Sequence, residues 1–202
     1  VPTVIMNDVA MEAKVGERLL NVGRRNAAHI GFVCDNVGTC QTCRCQVLAG
    51  SEHLSPPSEI ERAWIPEARL AEGQRLACQA IIRGEGEIQV QSHIEMARRL
   101  VLNVLMPPPG TTVTDNAQSL VATMLRDFGD QLALFPGNVV NVLGKVGPLR
   151  FAFPIRDGQR FFEDTARVVQ RMASGVERME RPPRVRPVQW ETDTPEEGAT
   201  SA

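Results

Sequence analysis

Tyrosine is absent from the chain, lysine occurs only as Lys14 and Lys145, and no apolar run approaches the ~18 residues of a membrane-spanning helix. The first two shortages carry no function; the third leaves no candidate for a spanning segment. Nor is there an excess of either charge. A formal net charge of -2, with both signs interspersed, gives no case for a nucleic-acid partner. The start Val1-Pro-Thr-Val lacks a basic region followed by an apolar stretch, and the five cysteines are an odd number with three of them crowded into one loop. A secreted disulfide scaffold is therefore not expected, and a reducing cytoplasm is. No Ser/His/Asp set, phosphate loop or paired-carboxylate motif stands out, so no catalytic residue is expected. What remains is ordinary: 202 residues, 43% of them hydrophobic, are enough for one or two domains with a core.

The unusual stretch is Cys34-Asp-Asn-Val-Gly-Thr-Cys40-Gln-Thr-Cys43, three thiols within one short loop, with Cys78 further along the chain. A triplet plus one remote cysteine is the ligand pattern of a [2Fe-2S] cluster, while a structural zinc site favours two close pairs. Cys34, Cys40, Cys43 and Cys78 are thus the expected cofactor and metal ligands. Gly38 falls where the loop has to curl. Cys45, on a strand just after the loop, reads as a buried, inert thiol. His29, His53 and His93 have no spacing that suits a ligand pair.

Around this loop the first 92 residues read as about five strands and two helices. Thr3 to Met6 and Val9 to Ala13 form a hairpin about Asn7-Asp8. Leu19, Leu20, Val22 and Gly23 share one helical face. Cys45 to Ala49 is a strand with Cys45 and Val47 inward. Ser58 and Glu61 frame a capping box opening a helix from Glu59 to Leu70, with Pro66 a point of breakage. Arg75 to Ile82 and Glu87 to Val90 are further strands. Glu59, Glu61, Glu67 and Glu72, interleaved with Arg62, Arg69 and Arg75, read as a solvated mixed face. The expected fold class is α+β: a β-grasp domain over 1–92, followed by a mainly helical, amphipathic C-terminal region.

In that region, 93–110 holds a helix from Ser92 to Met106, with Ile94, Ala97, Leu100 and Val101 on one stripe, and a proline-rich linker, Pro107-Pro-Pro-Gly110. Asp115 and Gln118 give a capping-box signal for a helix from Asn116 to Phe135, lined by Leu120, Met124, Phe128 and Leu132 and widened by Val121, Leu125 and Phe135. Val139 to Pro154 suits a strand pair or an apolar helix. Gln159 to Met179 reads as a helix with Phe162, Ala166, Val169, Ala173 and Val176 on its stripe and Arg167, Arg171 and Arg178 off it. Residues 111–180 thus form a lipid- or partner-associating region, and 181–202, rich in proline and acidic residues around Trp190, a disordered tail.

Cys34-x5-Cys40-x2-Cys43 with Arg75-Leu-Ala-Cys78-Gln resembles the adrenodoxin-type [2Fe-2S] ferredoxins, which implies a β-grasp and one-electron transfer. His29-Ile-Gly-Phe-Val-Cys34, Cys40-Gln-Thr-Cys43, Glu52-His-Leu-Ser55, Glu61-Arg-Ala63 and Leu76-Ala-Cys-Gln79 resemble the iron-sulfur proteins of the chlorosome envelope of green bacteria. In that family a ferredoxin-like domain is joined to a more apolar segment that associates with the lipid monolayer around the pigment. The resemblance implies an electron carrier, not an enzyme, held peripherally at the cytoplasmic side of the chlorosome envelope and acting in redox control of photosynthetic energy transfer. Its expected partners are a redox protein or quinone, and a lipid monolayer or photosynthetic complex met through the C-terminal helices, with oligomerisation left open. The competing readings are a soluble ferredoxin feeding an oxygenase or cytochrome P450, and a structural assembly subunit of a photosynthetic complex. No histidine follows His93, so the C-terminal half has no imidazole to offer bacteriochlorophyll.

Overall fold

A computed structural model describes residues 1–134, 137–152 and 158–174. Phe135, the last turn of the helix expected to reach Met179, and the tail expected to be disordered over 181–202 lie outside those residues.

The chain opens with β1 (Thr3–Met6) and β2 (Val9–Glu12), paired antiparallel from Thr3 and Glu12 to Met6 and Val9. Asn7 and Asp8 both take left-handed backbone, at φ 55° and 67°, as a tight two-residue hairpin demands. In α1 (Leu19–Arg25) the expected face, Leu19, Leu20, Val22 and Gly23, is buried. A Cβ on Gly23 would stand 2.9 Å from the Met6 sulfur, so this helix lies directly on the sheet. β3 (Arg44–Ala49) leaves the cysteine loop with Cys45 and Val47 buried. A 3-10 turn at Ser51–His53 leads to α2 (Glu59–Trp64) and α3 (Glu67–Ala71), divided at Pro66. The Ser58 and Glu61 capping box is formed in both directions.

β4 (Gln74–Leu76) and β5 (Glu87–Ser92) complete a five-stranded sheet of order β2-β1-β5-β3-β4, with β1 and β5 parallel and the other neighbours antiparallel. This is the expected β-grasp sheet, with one adjustment. β4 ends at Leu76 because the chain then turns to carry Cys78 to the loop; Ile81 and Ile82 keep only single bridges, to Arg18 and Leu54.

The helices that follow are α4 (His93–Leu105), α5 (Val113–Leu134), α6 (Gly137–Val146), α7 (Pro148–Ala152) and α8 (Gly158–Ala173). The stretch left open between strands and an apolar helix is thus helical as far as Ala152. Val142 and Val168 enter the same apolar core as Leu76, Trp64 and Phe32. On α4 and α5 the polarity is the reverse of a core-forming pattern. On α4, Glu95 is buried while Ile94, Val101 and Leu105 face solvent. On α5, Asp127 and Asp130 reach His93 and Arg69, while Val121, Met124, Leu125, Phe128 and Leu132 are 53–67% exposed. On α8, Phe161, Asp164 and Val168 pack inward, and Phe162 and Val169 of the expected stripe point out.

Candidate metal centre

The loop from Ile30 to Cys43 changes direction at residues with left-handed backbone: Asp35 (φ 46°), Asn36 (67°), Gly38 (83°) and Gln41 (55°). Such backbone costs about 1–3 kcal/mol at a non-glycine residue and persists only where the surroundings hold it. Gly38 has no room for a side chain, because a Cβ would stand 2.7 Å from Cγ2 of Ile60, and its carbonyl accepts from Trp64 Nε1 at 2.8 Å. Arg24 Nη1 donates to Asp35. Arg18 Nη1 donates to the carbonyls of Asn36 (3.2 Å) and Cys78 (2.8 Å), so one guanidinium fastens the loop to the distant cysteine.

These contacts gather Cys34, Cys40, Cys43 and Cys78. Cys34 is hydrogen-bonded with Cys40 and Cys78, and Cys78 with Cys43 as well. Cys34, Cys43 and Cys78 are buried and Cys40 is half-buried. The four form a chain of contacts; among the described residues no three His, Cys, Asp or Glu side chains converge as ligands of a single ion. The Cys40 and Cys78 thiols, with the N–H groups of Cys40 and Thr39, hold the Cys34 thiol far below its usual range. Cys40, bonded to Cys34 and buried, and Cys78, bonded to Cys34 and Cys43 and buried, are pushed up. The surroundings are built to accept thiolate charge: Thr42 Oγ1 lies 3.1 Å from Cys40 Sγ, and Gln79 Nε2 donates to Cys78 Sγ at 3.4 Å.

One atom tests whether this cage fits a cluster. Thr39 Oγ1 is buried with no hydrogen-bond partner in the protein. A hydroxyl left so costs about 1–3 kcal/mol, and a cluster of inorganic sulfide and thiolates would supply the missing acceptor. Four neighbouring cysteine sulfurs and an orphaned hydroxyl on the residue before Cys40 fit a [2Fe-2S] group.

The remaining candidates fall outside the cage. Cys45 is buried on β3, where burial pushes its thiol up, as an inert thiol should be. His29 is bonded to Glu95 and His93 to Asp127, each at 2.8 Å, and the His53 ring lies against Gly84 and Gly86. The expected mixed face holds for Glu59 and Glu67, whose side chains are exposed, but not for Glu61, Arg69 and Arg75, which are buried. Glu61 serves both its helix cap and Arg75, and that double satisfaction makes its burial tolerable. The sequence carries no pattern that marks the roles of Arg18 and Trp64; for Thr39 the one local signal is Gly38-Thr39-Cys40, a hydroxyl beside a ligand candidate.

The 2Fe-2S iron-sulfur cluster binding domain family matches residues 4–83. Chlorosome protein J of Chlorobaculum tepidum is 46% identical over 104 residues, which is 52% of this chain and 46% of that protein. Chlorosome protein I of the same organism is 38% identical over 100 residues, 50% of this chain and 41% of that protein. The chain therefore spans less than half the length of either relative. The 2Fe-2S ferredoxin of Buchnera aphidicola is 40% identical over 81 residues, 40% of this chain and 72% of that protein. With the cage described above, these matches make the chain a member of the [2Fe-2S] ferredoxin family, with a [2Fe-2S] cluster as its cofactor and ferredoxin-type electron transfer as its chemistry.

Proposed function

We propose that this chain is an electron carrier of the chlorosome envelope, in which residues 1–92 carry the cluster on Cys34, Cys40, Cys43 and Cys78, and 111–180 hold that domain at the lipid surface. The bound group supplies one-electron exchange. The chain's own residues hold four thiolates in a buried cage, donate N–H and O–H bonds to sulfur, and leave Cys40 as the ligand nearest solvent.

The observation that carries the placement is α5. Its polar side, Asp127 and Asp130, is used up on His93 and Arg69, while Met124, Leu125, Phe128 and Leu132 face outward. A helix fixed through its polar side with its apolar side free suits entry into a lipid monolayer, which rewards buried apolar area. The likeness to chlorosome protein J supports the same reading. Among the described residues no helix is long and apolar enough to cross a membrane, in keeping with a peripheral attachment.

Fractionation of cells followed by electron paramagnetic resonance tests this. The reduced-cluster signal should travel with purified chlorosomes and move to the soluble fraction when Met124, Phe128 and Leu132 are changed to Asp. Wild-type signal confined to the soluble fraction would defeat the placement and leave the ferredoxin chemistry intact.

A further inference from the structure

We propose that the cavity between α1, the cysteine loop and α8 binds a phosphate-type oxyanion, and that binding is coupled to the redox state of the adjacent cluster. The coupling rests on the cluster reading above; the anion site does not. The cavity measures about 670 Å³ and, apart from Val37, is lined only by charged and amide side chains. An apolar ligand such as a quinone would find nothing there to lie against, whereas pockets for such ligands are mostly apolar.

The charge balance selects the ligand's sign. Leaving Arg160 out of the count, the lining still has the four guanidiniums of Arg18, Arg24, Arg25 and Arg167 against the three carboxylates of Glu17, Asp35 and Asp164. Those carboxylates are taken: Glu17 by Arg25, Asp35 by Arg24, and Asp164 by Arg24 and Arg167. Arg18, half-buried at the cavity wall, has no carboxylate partner among the described residues and spends Nη1 on two carbonyls. A planar fork with unused donors and no carboxylate partner is matched by phosphate or a similar oxyanion, in one- or two-point contact. The site is also pre-set. Asp164, 2% exposed, receives Arg24 Nε at 2.8 Å and Nη2 at 2.5 Å and holds Arg167 on its own helix, so the guanidiniums are in place before any ligand arrives.

Asp35, Asn36 and Val37, on the loop between Cys34 and Cys40, form the wall next to the cage, and Arg18 is bonded to the Cys78 carbonyl. An electron added to the cage raises the negative potential in the cavity and weakens anion binding. By reciprocity the bound anion lowers the midpoint potential. The same chemistry is offered by free phosphate and by a phosphate headgroup, which vesicles can separate.

The test uses the iron-loaded full chain. Inorganic phosphate titrated calorimetrically at fixed ionic strength should bind, where chloride does not. Arg18→Gln and Arg167→Gln should each weaken it about tenfold, and Arg83→Gln, outside the cavity, should leave it unchanged. If Arg18→Gln loses iron, Arg167→Gln and Arg25→Gln carry the same comparison. Saturating phosphate should lower the midpoint potential; tenfold weaker binding to the reduced protein corresponds to about 59 mV. Arg167-dependent binding to phosphatidylcholine vesicles containing phosphatidylglycerol, absent without it, identifies a headgroup as the source; phosphate binding without that dependence identifies a free anion. Phosphate that binds no better than chloride, or equally to all variants, overturns the site, and a potential unmoved by bound phosphate overturns the coupling. Phosphate binding by a protein found to hold neither iron nor sulfide would instead remove the cluster reading and keep the anion site.

Discussion

Glu61 and Arg75 meet in a two-point ion pair, at 2.8 and 3.1 Å, with neither side chain exposed to solvent. Glu61 also accepts the Leu76 N–H at 3.0 Å, so this one carboxylate ties α2 to β4 two residues before Cys78. Removing one partner of a buried pair strands the other, at a cost of about 3–5 kcal/mol, while replacing both by apolar groups of similar size is far milder. Glu61→Ala should therefore lose about 3–5 kcal/mol in denaturant unfolding and shed iron readily, and Glu61→Leu with Arg75→Met should recover most of both. A single variant within 0.5 kcal/mol of wild type would show that the pair does not hold the strand.

The five cysteines should separate cleanly. Serine at 34, 40, 43 or 78 should abolish stoichiometric iron and acid-labile sulfide. Cys45→Ser should keep both, since burial pushes that thiol up and its strand points it into the core. In the loaded protein Cys45 should resist alkylation near neutral pH, checked by mass spectrometry. Iron lost from Cys45→Ser, in a protein that still folds, would make that residue a ligand.

How much of this was legible in sequence depends on the range of each interaction. Asn7-Asp8, the face of Leu19, Leu20, Val22 and Gly23, and the Ser58 and Glu61 box are set by neighbours a few residues away, and the cysteine spacing carries its own chemistry. Local sequence puts Glu61 on a solvated face because Arg75, its partner, is 14 residues away on another element. The same blindness applied to α8. Its pattern contains two apolar stripes, and only the arrival of Phe161 beside Phe32, with ring centroids 5.5 Å apart, decides which one is inside. Helices α4 and α5 were harder still, since periodicity locates an apolar face but does not say whether protein or another phase covers it.

Acid should act through Glu95. Burial pushes its carboxyl up, but hydrogen bonds from Arg98, His29 and Arg99 outweigh burial and hold it well below the usual carboxylate range. A folded-state pKa below the unfolded value gives stability that is complete above the unfolded pKa, about 4.3 for Glu, and is lost as pH falls toward the folded value. The stability gap between wild type and Glu95→Gln should be constant above about pH 5 and shrink below about pH 4. Urea unfolding at a series of pH values reads it, and a gap that widened on acidification would reverse the sign argued for Glu95.

The C-terminal helices should contribute to the stability of the cluster-bearing domain. Val142 on α6 is fully buried in the shared core, whereas Val140 on the same helix is 67% exposed. Val142→Ala removes two buried carbon groups, about 2 kcal/mol with the cavity included, while Val140→Ala should stay within about 0.5 kcal/mol. Both are read by the unfolding of the cluster absorbance. Equal effects at the two positions would mean that α6 does not pack on the domain through Val142.

Thr39 offers the most specific test of the cage, because its two effects have opposite signs. No protein group accepts from the buried hydroxyl. Thr39→Val is close in shape and lacks that group, so the apoprotein should unfold at equal or higher denaturant concentration. In the loaded protein the hydroxyl would be free to donate to cluster sulfur, a bond that would favour the more negative, reduced state. Its loss should lower the midpoint potential, and about 1 kcal/mol of lost differential stabilisation corresponds to roughly 40 mV for a one-electron couple. Thr39→Ser, which keeps the donor, should restore the potential. A general packing defect would instead destabilise the apoprotein and would not be repaired by serine, which is smaller than either residue. Voltammetry of the three loaded proteins beside unfolding of the three apoproteins therefore separates a hydrogen bond to the cluster from a merely structural threonine, and an unchanged potential in Thr39→Val rules out the hydrogen bond.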